Sequence, residues 1–217
     1  MKNKKIIILD DHPVVRRGLS HAVEHELGYT VTHQLDKAEE ALKLLDKTDI
    51  DLFLVDVSLP GMNGIELIKK IVFQNPDQKI LVISRHNESV YAERALKAGS
   101  KGYITKFEPL EEILNAIEKV LNGGIYVSTA MKDKLFKNSM NIESSEHSTL
   151  SALSDRELEI YELVGRGKST SDIANQLHLA AKTVDTYRSR IKEKMGFDNS
   201  NEMIYHAVKW IENDKLS

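Results

Sequence analysis

Apolar and polar positions follow two rhythms in this chain, and the change between them falls near residue 122. Before it, the short apolar runs Ile6-Ile7-Ile8-Leu9, Leu52-Phe53-Leu54-Val55, Ile80-Leu81-Val82-Ile83 and Tyr103-Ile104-Thr105 are separated by segments of helical period. Such runs read as strands, and their alternation with segments of helical period predicts βα units on a parallel sheet. A further strand, with the weakest pattern, is expected at the sheet edge over residues 30–34. In the second helix Asp36 and Glu39 have capping-box spacing, and Ala38, Ala41, Leu42 and Leu45 fall at i, i+3, i+4 and i+7. The last helix of this half is expected to start with Pro109 in its first turn, to carry Leu110, Ile113, Leu114, Ile117 and Leu121 on one stripe, and to stop at Asn122-Gly123-Gly124.

After Ile125-Tyr126-Val127 the periodicity fades, and residues 138–149 are polar and rich in serine, the composition of a linker. The expected division is therefore residues 1–121, a linker over 122–149, and a second domain over 150–217. Helical patterns return from Leu153 without strands. Ser154 and Glu157 have capping-box spacing, Gly165 and Gly167 close that helix, and three more are expected over residues 170–178, 181–195 and 200–213.

The chemistry-bearing residues sit where the strands end. Asp10 and Asp11 follow the first run, Asp56 the second, Ser84 the third and Lys106 the fourth. Open parallel sheets bind ligands outside the carboxyl ends of their strands, so three carboxylates, a hydroxyl and an ammonium converge on one crevice. Clustered carboxylates repel one another, and a proton or a hard cation must offset their charge. The chain has no cysteine, which excludes disulfides, thiol catalysis and thiolate metal sites. An oxygen-only donor set suits Mg²⁺ or Mn²⁺. With a cation bound, Asp56 has the chemistry of a nucleophile toward a phosphoryl group, and Lys106 and Ser84 that of partners to the phosphoryl oxygens.

Other bulk properties narrow the class. A length of 217 residues suits two modest domains, and a net charge of -3 argues against a protein that coats nucleic acid indiscriminately. No apolar run approaches the roughly 18 residues of a membrane span, and the N-terminus feeds a strand rather than a signal-peptide apolar region. The expected compartment is the cytoplasm, with no membrane partner.

Residues 4 to about 121 resemble the receiver domain of bacterial two-component response regulators. The resemblance rests on Ile8-Leu9-Asp10-Asp11-His12, on the stretch from Leu54 through Asp56, Ser58 and Pro60 to Gly64, on Val82-Ile83-Ser84, and on the stretch from Ala98 through Tyr103 to Lys106. It implies an α/β flavodoxin-like fold with a five-stranded parallel sheet of order 2-1-3-4-5. It also implies that Asp56 is the phosphoacceptor, that Asp11 and the backbone carbonyl of Ser58 are direct metal ligands with Asp56, and that Asp10 acts largely through water. Ser84 would be the switch hydroxyl, Tyr103 the aromatic that follows it inward, and Lys106 the phosphate partner. Such a protein is no enzyme toward an external substrate and catalyses only its own phosphoryl transfer and dephosphorylation. Phe107-Glu108 precede Pro109 here, where many receivers carry a proline directly after the lysine.

Over residues 181–195 an ideal helix carries Val184, Tyr187, Ile191 and Met195 on one face and Lys182, Asp185, Thr186, Ser189 and Lys192 on the other, flanked by Arg188 and Arg190. Between Lys182 and Lys194 five basic residues face two acidic ones, a local charge of +3. Short polar groups with arginines at the margins suit a major groove, although a solvated amphipathic helix has the same charge pattern. Residues 150 to about 213 resemble the LuxR-type helix-turn-helix, through Leu153-Ser154-Asp155-Arg156-Glu157, Gly167-Lys168-Ser169, Asp172-Ile173-Ala174 and Lys182-Thr183-Val184. That makes 181–195 the recognition helix of a small four-helix domain. Asp185 stands where lysine is frequent, Tyr187 where histidine is frequent, and Ala180 where a serine cap is usual.

Together the two resemblances imply a response regulator of the NarL/FixJ type. A sensor histidine kinase, promoter DNA, RNA polymerase and a second copy of the chain are the implied partners. Three rival readings stand beside it. A haloacid-dehalogenase-like phosphatase wants a second Asp where Ser58 stands, an atypical receiver would serve only as a docking module, and sigma-factor region four has a related helix-turn-helix. His21 and His25 have i, i+4 metal spacing but read as a surface pair, and Trp210 reads as a core or dimer contact.

Overall fold

The computed structural model describes residues 3–45, 49–139 and 150–214. The chain forms two compact units, Met1–Met140 and Asn141–Ser217. Residues 140–149, most of the serine-rich stretch read as linker, lie outside the described residues.

In the first unit the strands are β1 (Lys5–Leu9), β2 (Thr30–Leu35), β3 (Leu52–Val55), β4 (Ile80–Ser84) and β5 (Gly102–Thr105), and the helices α1 (Pro13–His25), α2 (Ala38–Leu42), α3 (Gly64–Gln74), α4 (Glu88–Ala98), α5 (Leu110–Leu121) and α6 (Thr129–Ser139). The strands pair in parallel in the order β2-β1-β3-β4-β5, with the weakly patterned β2 at an edge. One cluster joins Ile6, Ile8, Leu52, Leu54, Leu81, Ile83 and Ile104 to Leu19 and Val23 of α1 and Ile113, Ile117 and Val120 of α5. The alternate strand residues Ile7, Leu9, Phe53, Val55, Ile80, Val82 and Tyr103 are just as buried. Successive side chains point to opposite faces, so the sheet is covered on both sides, which is why its strands are continuous apolar runs. Truncating one of these, such as Ile8→Ala, should cost about 3 kcal/mol.

The register positions the strand ends. Leu9 pairs with Val55 and Ser84 with Thr105, so Asp10, Asp56, Ser84 and Lys106 leave the sheet along one edge. Directly after β3, α3 begins so close to the nucleophile strand that a Cβ on Gly64 would stand 2.0 Å from the Asp56 carbonyl oxygen. Only glycine fits there, and the Asn63 side chain caps the helix by accepting from the Glu66 N–H at 2.8 Å.

Three local expectations are corrected. No capping box forms at Asp36 and Glu39: the N-cap of α2 is Lys37, which makes no side-chain cap bond, and the Glu39 carboxylate lies against Gly61 instead. The helix ends at Leu42, short of Leu45. Pro109 is the N-cap of α5 in an extended conformation rather than its first-turn residue, and Leu110 is exposed while the rest of the stripe packs inward.

The first unit also extends past residue 121. Tyr126 pairs beside β5, accepting from the Tyr103 N–H at 2.8 Å and donating to the Lys101 carbonyl at 3.0 Å. α6 then lies on α4: Met131 is buried, the Ser128 N–H donates to the Glu88 carboxylate at 2.9 Å, and Lys134 Nζ donates to the Ser89 carbonyl at 2.7 Å. Among the described side chains of α6 Met131 is buried and Leu135 half-buried, too sparse an apolar pattern to be read from sequence.

The second unit contains α7 (Asp155–Gly165), α8 (Thr170–Leu177), α9 (Ala181–Met195) and α10 (Ser200–Asp214). Ser154 with Glu157, and Ser169 with Asp172, form complete capping boxes at α7 and α8. α7 and α10 approach so closely that a Cβ on Gly165 would meet the Ala207 carbonyl oxygen at 2.4 Å. Val184 and Ile191 of α9 are fully buried, and the helix begins at Ala180 with no side-chain cap. Trp210 stacks on Tyr161 at 5.6 Å between centroids, a contact within the helical packing.

Candidate functional sites

The strand-end residues of the first unit do converge. Lys106 Nζ lies 2.6 Å from Asp10 Oδ2 and 2.6 Å from Asp56 Oδ2, with both carboxylates nearly inaccessible to solvent. One ammonium thus serves two buried anions, and the charge does not balance. Burial pushes the Asp56 carboxyl above its ordinary range; the Lys106 charge opposes this, the Asp10 charge adds to it, and the net shift is upward. Asp56 Oδ1 is buried and has no hydrogen-bond partner among the described residues.

Half-buried Asp11 completes the group. Carboxylate and ring atoms of Asp10, Asp11, His12 and Asp56 lie within 4.8 Å of one another. A hard divalent cation fits this donor set, since it would partner the orphaned Asp56 oxygen and supply the missing positive charge. His12 widens the oxygen-only set expected from sequence. Its ring contacts the Asp11 carboxylate, and its backbone N–H donates to Asp10 Oδ1 at 2.9 Å. The signal was present, because His12 follows Asp10-Asp11 directly.

Ser58 lies on the loop between β3 and α3, tied at its start by the Gly64 N–H donating to the Val57 carbonyl at 2.8 Å. Ser84 is fully buried at the end of β4; its Oγ accepts from the His86 N–H at 3.3 Å, and its carbonyl accepts from the Lys106 N–H at 2.8 Å. Tyr103 is fully buried, with its hydroxyl donating to the His86 carbonyl at 2.8 Å. His86 is the residue sequence reasoning missed. Its Nε2 lies 2.7 Å from Ser58 Oγ and its ring stacks on Tyr91, joining the loop after β3 to the loop after β4. Nothing in its sequence context marks it; only the approach of two loops gives it a place. Phe107, the departure after Lys106, is exposed and leaves the lysine in the crevice.

Along α9, Lys182, Asp185, Thr186, Ser189 and Arg190 are exposed, and Lys192 and Arg188 are half-buried. Opposite them Val184 and Ile191 are buried and Tyr187 and Met195 half-buried, so the two faces fall as the periodicity requires. Arg188 is held to α8 through Thr170. His21 and His25 are exposed with their rings 4.2 Å apart, and among the described residues they belong to no group of three potential metal ligands. No helix among the described residues is long and apolar enough to cross a membrane.

Comparison with known proteins bears on both units. The family described as response regulator receiver domain matches residues 6–118, and that of the bacterial regulatory proteins of the luxR family matches residues 151–207. The chain is 34% identical over 205 residues to the response regulator GacA of Pseudomonas aeruginosa, covering 94% of this chain and 95% of that protein. It is 30% identical over 204 residues to the response regulator UvrY of Escherichia coli, covering 94% and 93%. In fold it resembles RcsB from Salmonella enterica serovar Typhimurium, with a TM-score of 0.64 at 24% identity over 95% of this chain and 99% of that one. A LuxR-family regulator from Aurantimonas matches 64% of this chain and 99% of its own length at 32% identity, with a TM-score of 0.59. The protein therefore belongs to the two-component response regulators of the NarL/FixJ family, with a receiver domain followed by a LuxR-type DNA-binding domain.

Proposed function

We propose that a partner histidine kinase phosphorylates Asp56 in an Mg²⁺-dependent reaction, and that this controls promoter binding and transcription through the C-terminal helix-turn-helix. The observation that carries the reading is the charge deficit in the crevice, where Asp10 and Asp56 share Lys106 while Asp56 Oδ1 has no hydrogen-bond partner among the described residues. Asp10, Asp11, Asp56 and the Ser58 carbonyl hold the cation, which when bound offsets charge on the phosphoryl group and its nucleophile. Mn²⁺ is an equivalent cation for such ligands.

The step itself is a displacement at phosphorus. A carboxylate oxygen of Asp56 forms the new P–O bond as the P–N bond to the donor imidazole breaks, and the imidazole leaves with the bonding pair. Lys106 Nζ, already between the two carboxylates, meets the phosphoryl oxygens as they arrive. Ser84 gives up its 3.3 Å bond from the His86 N–H and turns its hydroxyl onto the phosphoryl group. Tyr103 moves with the same loop, because its hydroxyl holds the His86 carbonyl. Because α4 begins just after that loop and α6 is tied to Glu88 and Ser89, repacking at Ser84 shifts the population of α6 positions and so acts on the linker.

In this reading residues 1–121 are the receiver proper, 122–149 the linker and 150–217 the DNA-binding domain. Lys182, Asp185, Thr186, Arg188, Ser189, Arg190 and Lys192 face the DNA. The regulator works in the cytoplasm as a homodimer when phosphorylated or on DNA, contacts RNA polymerase, and has no turnover beyond its own phosphoryl transfer and dephosphorylation. RcsB supports the DNA and dimer parts by analogy of fold, having been solved on promoter DNA with a phosphomimetic and as two dimers on two DNAs.

The test is intact mass and DNA affinity on one sample, with Mg²⁺ and acetyl phosphate, for wild type and Asp56→Asn. Wild type should gain about 80 Da, as a phosphoryl adduct must, and change its affinity while the variant does neither. Wild type that takes up no adduct yet binds DNA would instead make the receiver a docking module.

A further inference from the structure

Thr170, Asp185 and Arg188 meet across α8 and α9. Arg188 Nη1 lies 2.8 Å from Thr170 Oγ1, and that oxygen lies 3.3 Å from Asp185 Oδ1. A guanidinium only donates, a carboxylate only accepts and a hydroxyl has one proton to give, so the chain of bonds runs from Arg188 through Thr170 to Asp185. The single threonine proton is thereby committed to the carboxylate.

Asp185 is exposed on the face of α9 that also carries Lys182, Thr186 and Ser189. A carboxylate on a DNA-facing surface is repelled by phosphate and has no use as a phosphate contact. Its cost is limited here by Arg188 three residues later, coupled to it through one hydroxyl. What it can recognise is an exocyclic amine in the major groove, on cytosine N4 or adenine N6. Adenine sets the N7 acceptor beside its amine, which repels the second carboxylate oxygen. Cytosine presents no acceptor of its own on that edge.

We propose that Asp185 selects cytosine at one position of the DNA site by accepting from its N4 amine, and that Thr170 is the positioning residue that fixes the carboxylate for this contact. The same threonine tethers Arg188 at the margin of the base-facing surface, where it meets phosphate. The inference rests on α9 being the recognition helix.

The experiment is selection of duplexes from a random-sequence library by the full-length chain, with Mg²⁺ and acetyl phosphate present, followed by titration of a labelled selected duplex and its single-base variants. Wild type should enrich cytosine at one position and discriminate there by about tenfold, in the range of a good side-chain to base contact. Asp185→Asn should move that position to adenine, whose N6 and N7 match a carboxamide. Thr170→Val should still favour cytosine but lose most of the discrimination, and Thr170→Ser, which keeps the hydroxyl, should restore it. Identical base preferences for wild type and Asp185→Asn at every position would overturn the selection by Asp185, and undiminished discrimination in Thr170→Val would overturn the positioning role. Wild type enriching no sequence would bring down the recognition-helix reading and this inference with it. Melting curves for each variant separate these outcomes from misfolding.

Discussion

The crevice of the first unit and the edge of α9 both gather charge, but they hold it in opposite ways. At the crevice two carboxylates are buried around one ammonium, and each ion is costly unless its partners are complete. Along α9 the cations are mostly exposed, water screens them, and the Asp185 carboxylate among them is ordered by a threonine on another helix. Buried charge is thus fixed by energy and commits the site to one chemistry. Exposed charge is adjustable, and its specificity depends on which neighbours restrain it.

The sharpest break in this contrast is Asp56→Asn, which should abolish labelling by acetyl phosphate altogether. Labelling that persists would move the acceptor to another carboxylate. Lys106→Met comes next. It leaves Asp10 and Asp56 buried without their shared cation and should lower stability by about 3 kcal/mol near neutral pH without added metal. Because the Asp56 carboxyl already titrates above its ordinary range, its ionised form is the costly one in the fold, and the penalty should shrink as the pH falls and the carboxyl protonates. Mg²⁺ should recover part of the loss, and melting curves with and without the metal across pH check both statements. A cost independent of pH and Mg²⁺ would mean that the lysine acts there through packing.

Within the second unit Glu157 offers a paired counterpart to the crevice. Burial works to raise its carboxyl, but the Lys194 ammonium at 2.6 Å and the bonds from Ser154 overcome this and hold it below the ordinary range. A carboxyl lowered by folding stabilises above its unfolded value of about 4.3, and the contribution is lost as the pH falls through the folded value. Lys194→Met should therefore cost about 1 kcal/mol at pH 7, the lysine being partly exposed, with the gap from wild type closing on acidification. The smallest effect is expected at α9. Arg188→Ala should weaken binding to all sequences by a similar factor and reduce the salt slope by about one, as loss of one phosphate contact requires. Loss confined to one base pair would give the arginine a reading role and blur the distinction between tether and reader.

The local code was legible where burial made it stringent. Strands covered on both faces must be continuous apolar runs, so β1, β3 and β4 were readable, and Asp10, Asp56, Ser84 and Lys106 could be assigned to strand ends before any register was known. The box at Ser154 and Glu157 was readable for a similar reason, since one pair of side chains satisfies the helix end locally. The supposed box at Asp36 and Glu39 has the same spacing, but Glu39 found a position against Gly61, a competitor that sequence spacing does not reveal. α6 was missed because its described apolar positions form no periodic stripe, while Ser128 and Lys134 tie it to Glu88 and Ser89 of α4 and Met131 is buried.

By itself the sequence determined the two-part organisation, the parallel sheet with its acidic edge, and the helix with an apolar back and a polar front. These follow from periodicity and from which residue types can end a strand or cap a helix. The tertiary structure alone decided that one lysine bridges two carboxylates, that His86 joins the loop of Ser58 to the loop of Ser84, and that Thr170 couples Asp185 to Arg188. Each of these is a contact between segments distant in sequence, made by side chains with several possible partners. Which partner is taken depends on the register of the sheet and the crossing of the helices, and no local pattern encodes either.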